Sequence, residues 1–293
     1  MVKWRGREGS KNVEDHRGAI AGAGLSGVAI LLLRFVLSRF GIGGIVVLVG
    51  GFFALRAVGV DPLALLGGQP AGPAQVSAED QEAYEFSSVI LAETEKVWTD
   101  IFAASGSRYA APVMRIYTAQ TETACGFGSA AAGPFYCPGD QKVYLDTSFF
   151  TELSQRFGAP GDFAAAYVIA HEVGHHVQTV TGTSNEVRNA QSRAGEEEQN
   201  RLQVMMELQA DCYAGVWANH ADRMSGLLDE GDIEEGLRAA SAIGDDTLQR
   251  NAGRRVTPES FTHGSAEQRA RWFTAGYRTG DVNQCDTFNA RSL

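Results

Sequence analysis

The sequence predicts an α+β fold, mostly helical with a small antiparallel sheet, in a domain covering residues 77–293 that follows a single N-terminal transmembrane helix. Three observations carry this. Residues 18–68 are almost wholly apolar and small, interrupted by Arg34, Arg39 and Arg56. Strand-like alternation is confined to the stretch from Val113 to Leu145, and helical periodicity dominates from there to the carboxyl terminus. Strands therefore come first and long helices after.

The first 39 residues read as a basic cytoplasmic segment, with Lys3, Arg5, Arg7, Lys11, Arg17, Arg34 and Arg39. Phe40 to Leu55 contains sixteen residues without charge. Extended past Arg56, whose long side chain can snorkel, to Val60, it reaches the roughly 20 residues a spanning helix needs. Because the basic residues precede residues 40–60, the positive-inside rule puts the amino terminus in the cytoplasm and the domain in the periplasm or outside the cell. Gly18 to Leu33 is a second apolar candidate. It would form a hairpin returning the domain to the cytoplasm, but Arg34 and Arg39 would then lie in an outside turn, against the rule. A cleaved signal peptide is a third reading, which an apolar run this late and long fits less well. Residues 61–76 form a linker rich in Pro, Gly and Ala.

Past the linker, Ser77 to Ala104 reads as an amphipathic helix with Tyr84, Val89, Leu91, Val97, Trp98 and Ile101 as core candidates. Val113 to Thr118 alternates as a strand does, and Pro134 to Cys137 with Lys142 to Leu145 reads as a hairpin turning at Pro138-Gly139-Asp140. Helices are expected from Asp162, Glu186, Asp232 and Ser265.

The chemistry is concentrated in His171-Glu172-Val173-Gly174-His175. The run before it, Phe163 to Ala170, is apolar and free of Gly and Pro, so the box lies on a buried helix. Positions i and i+4 share a helix face, which lets both imidazoles reach one metal; Glu172, turned by about 100°, meets metal-bound water instead. The chain has only six histidines, three of them at 171, 175 and 176, so an accidental match is a poor explanation. His176 points away from that face and reads as a supporting or packed core residue. His16 and His220 suggest no chemistry.

A catalytic zinc takes three protein ligands and leaves one position open for water. Glu207 and Asp211, four apart on an apolar helical stretch, would repel unless a cation lay near them. Glu207 is the candidate third ligand and Asp211 the acceptor that fixes a ligand histidine's tautomer; the alternative is ordinary solvated acids at a helix edge. Ser265 and Gln268 form a capping-box signature that leaves His263 in the loop before a helix. There it would stabilise an oxyanion or make a simple loop contact, and Arg269, one turn into the helix, would orient it or bind substrate carbonyls.

All four cysteines come after the expected span. Cys125 and Cys137 flank a short loop and suit a disulfide in an oxidising compartment, with Cys212 and Cys285 as a second bridge; the alternative is buried thiols. The net charge is −10, and residues 77–293 carry −14 of it after the basic start is set aside. That balance excludes nucleic acid as a partner. Glu196-Glu197-Glu198 reads as a solvated helix face.

Ala170 to Gln178 with its extra histidine, the Glu207 to Asp211 pair and His263-Gly264-Ser265 together resemble the bacterial neutral zinc metallopeptidase family. The resemblance runs nearly end to end, taking in Trp4-Arg5-Gly6-Arg7, Asn12-Val13-Glu14-Asp15, a membrane segment, and Phe135 to Asp140 before Val143 to Asp146. It implies a zincin-like domain of the gluzincin kind, with Glu207 completing the site and Asp211 supporting a histidine. The more distant CAAX-protease-like membrane peptidases have a histidine followed six residues later by an arginine near the metal. His263 and Arg269 match that spacing, although Gly264 stands where those proteins usually have Pro. The resemblance also implies an edge strand that pairs with extended substrate.

The expectation is a single-pass, membrane-anchored zinc endopeptidase acting on a peptide or protein. One Zn2+ per chain would be held by His171, His175 and Glu207, with Glu172 as general base and His263 assisting. Two rivals stand beside it: an amidase or endopeptidase acting on cell-wall peptides, and a non-catalytic zinc-containing scaffold at the cell envelope. Oligomeric state and substrate identity are not written in the sequence.

Overall fold

The structure, a computed structural model, describes residues 1–18, 76–129, 133–155, 158–159 and 161–293. The expected span at 40–60 and the linker up to residue 75 lie outside the described residues, among which no helix is long and apolar enough to cross a membrane. Met1–His16 and Ser77–Leu293 form one compact unit, and Arg17–Val76 are grouped separately.

The larger unit is mostly helical with two small sheets. In chain order it runs β1 (Val13–His16), α1 (Ala78–Ala104), β2 (Val113–Tyr117), β3 (Gln120–Thr123), β4 (Gly126–Ser129), β5 (Phe135–Cys137) and β6 (Lys142–Asp146). Helices come next: α2 (Phe149–Gln155), α3 (Asp162–Val180), α4 (Thr183–Gln191), α5 (Glu196–Ser225), α6 (Asp232–Ala242), α7 (Asp245–Asn251) and α8 (Ala266–Thr279). The α+β expectation holds. Its wholly antiparallel sheet does not: the order is β1-β2-β6-β5, with β1, β2 and β6 parallel and only β5 antiparallel to its neighbour. The predicted β5–β6 hairpin is present, and a separate antiparallel pair, β3–β4, interrupts the crossing from β2 to β6.

The parallel character comes from the amino terminus. Residues 1–39 were expected to stand apart from the domain, but 1–16 pack within it. Val13 pairs with Met114 and His16 with Tyr117 along β2, while Glu14 accepts hydrogen bonds from Arg115 (2.8 Å) and Lys142 (2.6 Å). Val2 and Trp4 are buried, Trp4 edge-on to Phe86 at 5.6 Å between ring centroids. Burying side chains of this size is worth roughly 1.5–3 kcal/mol each.

Helix α1 starts on a capping box in which Ser77 accepts from the Asp80 N–H and Asp80 accepts from the Ser77 N–H. Val89, Leu91, Val97 and Trp98 enter the core as expected, and Tyr84 and Ile101 lie at its margin. The helix expected from Glu186 is two helices. Gly182, at φ 93°, starts α4, and Gly195 opens α5, whose first turn holds Glu196, Glu197 and Glu198 where the helix dipole favours acids.

Close approaches at glycine set the spacing of the three long helices around the site. A Cβ on Gly174 would lie 3.1 Å from Ala210 Cα, so α3 and α5 come nearly backbone to backbone between the two histidines of the box. A Cβ on Gly276 would lie 2.0 Å from Cys212 O, and one on Gly215 would lie 2.1 Å from Phe273 O. Helix α8 is thereby seated on α5, one turn from Asp211.

Candidate metal centre

The packing of α3 on α5 places His171, His175 and Glu207 with one ligand atom each within 4.8 Å of the others. Glu207 Oε2 is 3.1 Å from His171 Nε2 and 3.4 Å from His175 Nε2, and the imidazoles stand perpendicular with centroids 4.7 Å apart. All three are largely buried. The residues singled out by the i, i+4 spacing and by the second acidic pair are therefore brought together.

The outward nitrogens of both histidines are engaged. Asp211 Oδ1 lies 2.8 Å from His171 Nδ1 and Gln178 Oε1 lies 2.9 Å from His175 Nδ1. Each acceptor takes an Nδ1–H, so it is Nε2 of each ring that faces Glu207, donating to its carboxylate while the ring is protonated and open to a metal once that proton is lost. Two imidazole nitrogens and one carboxylate oxygen, each ring oriented from behind, make a donor set suited to zinc. The sequence reading includes Gln178 as the end of the motif and gives it no role. It sits one turn past His175, and its own amide is fixed by donating to Met206 O at 2.7 Å.

Asp211 is wholly buried and anchors a network. Arg269 donates to it twice, Nε to Oδ2 and Nη2 to Oδ1, both at 2.9 Å, and the Tyr167 hydroxyl donates to Oδ1 as well. Arg269 Nη2 also reaches Tyr167 Oη at 3.2 Å. Arg269 thus supports the ligand His171 through Asp211, as the resemblance to proteins with an arginine near the metal implied; orienting His263 or meeting substrate does not fit, since the residue is 2 % exposed and its guanidinium is committed to Asp211. Arginine is needed here because a buried carboxylate without a cation is strongly unfavourable.

The electrostatics arise from the same contacts. Burial alone would lower the His171 pKa, but the Asp211 carboxylate, aided by Glu207, raises it to about 9. Burial works against the Glu207 and Asp211 anions too; the histidines hold Glu207 well below the carboxylate range, and Arg269 with His171 lowers Asp211. Burial raises Glu172 above its ordinary value, with His175 and His171 pulling it back. The backbone of Tyr136 in β5 also pulls it down. The one carboxylate of the box thus shares its cavity with strand β5.

His263 lines the same cavity of about 460 Å³ as Glu172, His171 and His175, beside Phe149 and Val168. A larger cavity of about 580 Å³, bordered by Arg201, Phe261 and Arg271, contains none of the three clustered residues. The loop carrying His263 is held by Asp245, whose Oδ2 accepts N–H bonds from Thr262 (2.7 Å), His263 (2.6 Å) and Gly264 (3.2 Å). Asp245 was missed because nothing in local spacing links it to residue 263. His176 is a core residue, its Nε2 2.6 Å from Ala110 O and its Nδ1 3.1 Å from Tyr136 Oη. The Ser265–Gln268 capping box is present as read.

Both expected disulfides are formed, Cys125–Cys137 and Cys212–Cys285. They close loops of 12 and 73 residues, for which chain entropy gives about 3 and about 4 kcal/mol.

Comparison with known proteins agrees with this centre. Residues 2–288 match the family described as "Putative neutral zinc metallopeptidase", and the chain belongs to that family. It is 47% identical over 295 residues to a protein of Escherichia coli K12 named "Uncharacterized protein YpfJ", covering 98% of this chain and 99% of that one. It is also 47% identical over 196 residues to "Uncharacterized protein Rv2575" of Mycobacterium tuberculosis, covering 63% of this chain and 65% of that one. No solved structure matches.

Proposed function

As a member of a zinc metallopeptidase family with an inward-facing His, His, Glu cluster, the chain is, we propose, a zinc-dependent endopeptidase that hydrolyses peptides or proteins at the cell envelope. The observation that carries this reading is the three-membered donor set. A structural zinc takes four protein ligands and a catalytic one three, and among the described residues the cluster has three members. This favours hydrolysis over a scaffold.

One zinc per chain, held by His171, His175 and Glu207, would lower the pKa of water and polarise the scissile carbonyl. Glu172 takes the proton of the attacking water on its carboxylate and later delivers it to the departing amine nitrogen. Burial brings that carboxylate nearer the pKa a general base needs. Strand β5, which lines the same cavity, ends the sheet order, so extended substrate can add along its outer edge through backbone hydrogen bonds. His263, whose pKa Asp245 raises, faces the cavity as a donor to the oxygen on which negative charge develops.

Glu172→Gln tests the assignment. The variant is expected to bind one zinc per chain as the parent does and to lose about 10²–10⁴-fold in casein cleavage. Full activity in the variant, or cleavage indifferent to chelation, would overturn it.

A further inference from the structure

Three observations bear on where the domain lies. First, residues 1–16 are a built-in part of it: β1 is hydrogen-bonded to β2 along Val13 to His16, Val2 and Trp4 lie in the core, and Arg7 donates to Ser225 O at 2.8 Å. Neighbouring strands are about 4.8 Å apart, whereas the hydrocarbon core of a bilayer is about 30 Å thick. The two pieces cannot lie on opposite faces of a membrane. Second, all four cysteines of the chain are paired, both bridges lie in this unit, and such bonds persist in oxidising compartments. Third, the sequence between the two pieces contains two apolar runs, Gly18 to Leu33 and Phe40 to Leu55, with Arg34 and Arg39 between them.

We propose that residues 1–16 and 77–293 lie together on the extracytoplasmic side of the membrane. This replaces the single pass with a cytoplasmic amino terminus. Three of the basic residues that had counted toward a cytoplasmic start have acidic partners in the folded domain: Lys3 with Asp229 (3.7 Å), Arg5 with Glu82, and Arg7 with Glu93 (3.4 Å). A hairpin returning the domain to the cytoplasm would put both disulfides in a reducing compartment. Resting on the peptidase reading, the placement names the substrate class: proteins and peptides on the outer side of the membrane.

The test is cysteine accessibility in the full chain expressed in Escherichia coli spheroplasts. Single variants Lys11→Cys and Asn251→Cys are treated with a membrane-impermeant maleimide before or after lysis. Labelling of both positions in intact spheroplasts is the expected result. Position 11 protected while 251 reacts would restore the single pass and overturn the proposal. Protection of both until lysis would put the domain in the cytoplasm and overturn it as well. Labelling needs no catalysis, so this result and the Glu172→Gln result fail independently.

Discussion

The two imidazoles of the box sit on one helix and face one carboxylate, yet they are supported in opposite ways. His171 is backed by an ionic network from three helices: Asp211 of α5, Arg269 of α8 and Tyr167 of its own α3. His175 is backed by a neutral amide three residues along the same helix, Gln178. The charged side raises ligand basicity and depends on distant parts of the chain meeting; the neutral side is local and insensitive to charge. One ligand is therefore oriented by charges from distant helices, the other by an amide of its own helix that α5 holds in turn.

The sharpest way to break this comparison is Arg269→Met, which leaves Asp211 buried without its cation. An unfolding free energy lower by about 3–5 kcal/mol is expected in denaturant titrations, and Arg269→Met combined with Asp211→Leu should recover part of it.

The next effect is on pH. The folded His171 pKa is raised to about 9 from 6.5, so its contribution to the stability of the metal-free protein is complete below about pH 6.5 and lost as pH rises through about 9. Glu207 and Asp211 are lowered, and their contribution disappears as pH falls below the ordinary carboxylate range. Metal-free stability should peak between. Zinc must displace the proton of His171, and that of His175, whose pKa Glu207 also raises, so affinity measured with a competing chelator should tighten at least about tenfold per pH unit from 6.5 toward 9. A flat profile would remove the charged character of this side.

Asp211→Asn should weaken zinc binding about 10–100-fold, with the pH dependence reduced because the carboxylate that charges His171 has gone. Gln178→Leu should weaken it less than tenfold and leave the pH profile unchanged. Equal losses from the two variants would erase the distinction.

The division also explains what could be read from the chain. His171, Glu172 and His175 are legible because helix geometry alone places residues i and i+4 together. Glu207 and Asp211 were legible as a chemical anomaly, two acids on an apolar helix. Arg269 was found by its spacing from His263, but its partner was misjudged, since no local pattern shows which way a buried guanidinium turns. Gln178 was within reach as an acceptor one turn past a ligand, but an uncharged amide at that position looks like any polar residue of a helix. Asp245 and the parallel β1 strand were out of reach. Val13-Glu14-Asp15-His16 is short and half polar, and its partner begins at Met114, so nothing near it in sequence signals pairing.

The Asp211 network has a consequence for the order in which the molecule is made. The box is synthesised first, Asp211 comes 40 residues after His171, and Arg269 arrives a further 58 residues on. At about 5–20 residues per second, several seconds of translation separate the acid from its cation. Until α8 emerges, the acid is left uncompensated and the first ligand unfixed. Completion of the backing behind His171 therefore waits for the carboxyl-terminal helix, whatever else of the domain has already formed.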